Sequence, residues 1–75
     1  MLSQYKNTNM VCKYFDKEYG EMTYVHGILL DFTRGWVEMF VRNIHSQSRL
    51  NEYTTPIRML INQNKILSLY EESAD

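Results

Sequence analysis

"GILLDFTRGWVEM", residues 27–39, runs from a glycine through one apolar stretch, breaks at Thr33-Arg34-Gly35 and opens a second apolar stretch at Trp36. Reading outward from it, Glu21 to Phe32 alternates at the spacing of a β-strand. Met22, Tyr24, His26, Ile28, Leu30 and Phe32 form the apolar face, and Glu21, Thr23, Val25, Gly27, Leu29 and Asp31 form the other. Trp36 to Asn43 reads as the returning strand, with Val37, Met39 and Val41 on one side and Trp36, Glu38, Phe40 and Arg42 on the other. A helix over residues 28–40 is disfavoured by Gly27, Thr33 and Gly35 and by the β-branched and aromatic content. The stretch is therefore expected to be a hairpin. Gly27 inside its first strand marks a bend or bulge, or the close approach of a neighbouring backbone.

The flanking sequence supplies three more strands. Met10 to Phe15 combines a β-branched residue with aromatics and is followed by the turn-forming "DKEYG", residues 16–20. Pro56 has no N–H for a ladder and is expected to open a strand over Ile57 to Ile61. "NQN", residues 62–64, makes a turn, and Lys65 to Tyr70 closes the set. The polar connection "NIHSQSRLNEYTT", residues 43–55, is long for a loop, so it either holds a distorted strand or projects from the body. Residues 1–9 are expected to be a flexible segment with at most a short helical turn, residues 10–70 the single domain, and residues 71–75 an acidic tail. Five short strands with tight turns imply an all-β fold, a small, strongly bent antiparallel barrel.

A chain of 75 residues buries only roughly 60% of its unfolded surface, which makes a monomer marginal. Cys12, the single cysteine, has no partner for an internal disulfide, and no Cys/His spacing suits zinc. Oligomerisation is the remaining stabiliser. Met59, Leu60 and Ile61, with Ile66 and Leu67, put apolar side chains on both faces of their strands, so these five are the candidate oligomer edge. The lone cysteine and an N-terminal stretch without the features of a secretory signal lead us to expect a cytoplasmic protein. No apolar run approaches the ~20 residues of a membrane span.

The net charge of −1 lacks the overall attraction of a strong nucleic-acid binder. Its distribution is uneven, because Arg34, Arg42, Arg49 and Arg58 face only Glu38 and Glu52 within their span. Strand alternation places Trp36 and Phe40 opposite Val37, Met39 and Val41, so the two aromatics point outward if those three point in. Exposed aromatics beside arginine suit a protein interface, and nucleobase stacking uses the same residue types. Trp36, Phe40, Arg34, Arg42, Arg49 and Arg58 are accordingly the candidate interaction surface. The alternative is a second small cluster, with the polar connection or the N-terminal segment lying over Trp36.

The sequence from Gly27 resembles the Sm-like family, five-stranded barrels that assemble into rings and commonly bind RNA. Gly27, Leu29, Phe32 and Trp36 fall in register with its first motif, and Ile61, Ile66 and Leu69 with the apolar spacing of its second. Thr33 and Val37 occupy the Asp and Asn positions of the first motif, and Asn62 and Gln63 replace the Arg-Gly pair of the second. The resemblance implies the barrel and ring formation more than RNA binding. SH3-like barrels share the strand count and curvature.

Catalytic chemistry has little material here. His26 is expected as a hydrogen-bonded core or interface histidine, His45 as a solvated loop residue, and Cys12 as a small buried hydrophobe. Asp31, Glu38 and Glu52 make no acid/base pair, and the glycines are too scattered to cradle a phosphate. We expect a non-enzyme with no catalytic residues, metal or cofactor. The expected role is an accessory or regulatory interaction module, self-associating and open to a protein partner. RNA binding through the central basic and aromatic surface is the alternative.

Overall fold

The computed structural model describes residues 2–72, with side chains from Gln4 onward. Five strands follow one another: β1 Asn9–Asp16, β2 Glu21–Thr33, β3 Trp36–Ser46, β4 Leu50–Asn62 and β5 Ile66–Glu71. Short 3-10 turns occupy Leu2–Tyr5 and Gln63–Lys65. All pairings are antiparallel, in one sheet of order β4-β3-β2-β1-β5. The all-β, five-stranded antiparallel expectation is what the chain forms. Of the expected acidic tail, Glu71 ends β5, and residues 73–75 lie outside the described residues.

Local chemistry explains the turns. Asp16 Oδ1 accepts from the Glu18 and Tyr19 N–H groups at 2.9 and 3.3 Å, and Gly20 closes the turn at φ +68°. Between β2 and β3 the chain reverses over Arg34 and Gly35 alone, both at positive φ, while Thr33 pairs with Trp36. Two left-handed residues in a row match the right-handed twist of the strands they join.

A single sheet can bury a core only by wrapping around it. Met10, Cys12, Val25, Leu29, Val37, Met39, Val41, Ile44 and Ile61 fill the concave side, with Tyr5, Tyr14, Phe32, Tyr53, Met59, Ile66 and Leu69 packed against them. Curvature is concentrated at bulges. The β2–β3 register shifts between His26 and Gly27, where Arg42 is the extra residue on β3, and again between Leu29 and Asp31, where Leu30 is the extra residue on β2. Each extra residue exchanges the two faces for the part of the strand beyond it.

Two readings of the sequence change as a result. The inward face of β2 is Thr23, Val25, Gly27 and Leu29, while Met22, Tyr24, His26 and Ile28 point outward. The concave side of a tightly bent sheet has room for the smaller set, so bulk overrides hydrophobicity. Phe32 returns to the core only because the Leu30 bulge flips its parity. The second change concerns residues 43–55: β3 continues to Ser46 and β4 begins at Leu50, so the polar connection is mostly strand. It is distorted, since Asn43 pairs with Glu52 but Val41 with Ile57. The intervening stretch arches away from β3, and Pro56, lacking a donor, lies in that arch rather than at a strand start.

Cys12 is fully buried on β1, and desolvation raises its thiol pKa to about 11. The reactive thiolate is therefore scarce at neutral pH. Ellman's reagent is expected to label native protein at least tenfold more slowly than protein in guanidinium chloride; equal rates would mean that β1 is not buried.

Candidate interaction surfaces

On β3, Val37, Met39 and Val41 are fully buried, whereas Trp36 and Phe40 are 46% and 40% exposed. Across the ladders Phe40 lies between Ile28 of β2 and Arg58 of β4, Glu38 opposite Leu60, and Trp36 opposite Asn62. Leu60 is 64% exposed, so Trp36, Phe40 and Leu60 form an outward apolar group crossed by the Arg58–Glu38 ion pair.

The four arginines do not make one basic patch. Arg58 pairs with Glu38, Arg42 with Glu72, and Arg49 Nη2 with Asp16 Oδ2 at 2.9 Å. Arg49 also lies 4.3 Å over the Tyr19 ring, which clamps the β3–β4 turn to the β1–β2 turn. Arg34 has no carboxylate partner among the described residues. The sequence shows an excess of arginine but not that three of the four are delivered to different acids.

The segments holding the two departures from the Sm-like motifs meet in space. The Gln63 N–H donates to the Gly35 carbonyl at 2.7 Å, which sets the β2–β3 turn against the 62–65 turn. Two of the four substituted positions are committed or apolar. Asn62 Oδ1 caps the 3-10 turn by accepting from the Asn64 N–H at 2.8 Å, and Val37 is buried in the core.

β4 and β5 are the two outermost strands of the sheet. Met59 and Ile66 are half-buried against the core, Ile61 is buried, and Leu60 points out. The β1–β5 register shift leaves Leu67 as the extra residue, and it is 58% exposed. Ile57 pairs with the buried Val41 and so faces the core side, yet it remains 39% exposed. The core side of β4 is thus uncovered at Ile57. Two clefts open where β4 passes into β5. One of about 230 Å³ is lined by Tyr14, Trp36, Met59, Leu60, Ile61 and Lys65. The other, about 660 Å³, lies between Phe15, Lys17, Asn64 and Leu67 and shares Tyr14 and Lys65 with the first.

A third grouping was not visible in the sequence. Because β3 extends to Ser46, His45 pairs across with Tyr24 and comes beside His26 on the convex side. The two imidazole Nε2 atoms are 2.8 Å apart. Tyr24 stacks on His45 with centroids 5.1 Å apart, and the Lys13 ammonium lies 5.8 Å from the Tyr24 ring centre. Glu72 Oε2 is 3.7 Å from His26 Nδ1, while its other oxygen accepts from Arg42, whose Nη1 donates to Asn9 Oδ1 at 3.0 Å. Burial lowers the His26 pKa, Glu72 opposes that shift, and His45 and Arg42 reinforce it. The spacing-two pair Tyr24/His26 was the available signal, but it needed the full length of β3 to bring His45 opposite.

Among the described residues no helix is long and apolar enough to cross a membrane. The chain matches no family model, no curated protein and no solved structure.

Proposed function

We propose that this chain is a non-enzymatic interaction module, cytoplasmic and accessory in role, that self-associates by joining the free edge of β4 to the free edge of β5 of the next copy. The exposure of Ile57 on the core side carries the reading, because a strand added beside β4 would cover it. Edge strands offer unpaired N–H and C=O groups, and a new strand satisfies them while burying alternate side chains. Leu60 and Leu67 flank the two edges as exposed apolar anchors. The edges are unlike, 13 residues against 6, so the contact is head-to-tail and builds a closed ring, or a filament where the rotation does not close. This accords with the Sm-like resemblance and with the marginal core of so short a chain.

A second reading, RNA binding, is favoured by one observation. Arg34, with no carboxylate partner among the described residues, stands in the turn beside exposed Trp36, and Lys65 lies across the adjacent cleft. It competes poorly because Arg42, Arg49 and Arg58 are engaged with acids.

Sedimentation velocity on the full chain separates the readings. An assembly of several copies is expected, and Leu60→Lys combined with Leu67→Lys is expected to reduce it to monomer with the β-sheet circular dichroism retained. A wild type that stays monomeric as concentration rises would overturn self-association. An added oligoribonucleotide is expected to leave the boundary unchanged. Co-sedimentation that weakens steeply with salt would favour the second reading.

A further inference from the structure

The convex-side histidines carry chemistry that the strand edges do not use. Their ring centroids are 4.8 Å apart, only a little less than the 2.8 Å Nε2–Nε2 contact plus the two ring radii. The nitrogens therefore point at one another. We infer that His26 and His45 form a two-imidazole site for a first-row divalent ion of the Zn²⁺ or Cu²⁺ class, bound between the two Nε2 atoms.

Four features of the surroundings support this. Imidazole nitrogen is the favoured ligand of these ions, and Zn–N bonds of about 2.0–2.1 Å at a tetrahedral angle separate two nitrogens by roughly 3.3 Å. The pair needs to open by only about half an ångström, a small side-chain rotation on neighbouring strands. The Glu72 carboxylate beside His26 Nδ1 favours the proton there and leaves Nε2 as the lone-pair donor, the carboxylate–imidazole arrangement that orients metal-bound histidines. The Tyr24 ring braces His45 from one face. Arg42 in turn holds the Glu72 carboxylate in place through its other oxygen.

The described residues contain no group of three metal-binding side chains. Two positions on the ion are thus left to water or to a donor from another molecule. Binding must displace the proton shared between the nitrogens; in the neutral pair it moves from His45 Nε2 to His45 Nδ1, so both rings present Nε2 and no net proton is released. The groups facing the pair are Tyr24 and Glu72, with Arg42 behind Glu72 and Lys13 beyond Tyr24. The cations weaken the site and the carboxylate offsets them.

Titration of the full chain with Cu²⁺ alone, followed by calorimetry and electron paramagnetic resonance, tests the site. One ion per chain with coupling to two imidazole nitrogens is expected. His26→Gln and His45→Gln should each weaken binding at least tenfold, and Glu72→Gln by about tenfold through loss of orientation. Binding unchanged in both histidine variants, or a spectrum with one nitrogen or none, would overturn the proposal. If a variant does not fold, the wild type decides through ¹⁵N imidazole spectra with Zn²⁺. Both Nε2 resonances must shift, and a shift of either Nδ1 instead would count against the site.

Discussion

Gly27→Ala is expected to cost at least ~3 kcal/mol and to lower the melting temperature by roughly 15 °C or more. A Cβ at this position would lie 2.2 Å from the Phe40 carbonyl oxygen, 2.8 Å from Val41 Cα and 2.9 Å from the Phe40 carbonyl carbon. All three atoms are β3 backbone, so no side chain can rotate aside. Relief requires β3 to move away from β2 where the register already shifts to accommodate Arg42. Val41 and Met39, both fully buried, would move with it. A chain this short has a total stability of only roughly 4–11 kcal/mol, so much of the population should unfold near its growth temperature. Gly20→Ala is the control: Gly20 is at φ +68° with no atom within 4 Å of where the alanine methyl would sit, and only the conformational cost of about 1 kcal/mol applies. Thermal melts followed by circular dichroism distinguish the two, and a Gly27→Ala melt within a few degrees of wild type would contradict the close approach of β2 and β3.

That contrast separates the features legible in the sequence from those that were not. A glycine interrupting a strongly alternating strand signals either a bulge or a close backbone approach, and Gly27 sits at both. Alternation also located β2 and the start of β3 to within a residue, because each strand has one polar and one apolar side near its turn. The inward face of β2 was not legible. Hydrophobicity ranks Tyr24, Ile28 and Leu30 above Thr23 and Gly27, but the bend selects for size, and curvature is a property of the whole sheet. The bulges at Leu30 and Arg42 hide in the same way, since an extra residue changes parity without changing composition. His45 was placed outside the strands for want of apolar neighbours. Its actual neighbours are Tyr24 and His26, nineteen or more positions away in the chain, so its role comes from pairing rather than from local pattern.

Leu29→Ala should be the next most damaging change, at ~2–5 kcal/mol. Leu29 is fully buried opposite fully buried Met39, immediately before the Leu30 bulge. Truncation leaves a cavity that a bent single sheet cannot collapse without unwrapping, which places the cost toward the upper part of that range. The backbone at this point is held from the other side as well. Its N–H donates to the Thr8 carbonyl at 3.0 Å and its carbonyl accepts from the Asn7 N–H at 2.7 Å, so the N-terminal segment is pinned across β2 here. Loosening Leu29 should therefore release residues before β1 along with the core, seen as faster amide exchange at Asn7 as well as at Leu29. Leu60→Ala provides the comparison. Leu60 is mostly exposed, so at concentrations low enough for monomer its melting temperature should stay within about 3 °C of wild type. Under conditions that favour assembly the same variant should lose stability, because the partner strand no longer has a side chain to bury. Equal losses for Leu60→Ala at both concentrations would place Leu60 in the core of one chain. Loss confined to the concentrated sample would place it at the junction between copies, on a fold that Leu29 maintains in each chain by itself.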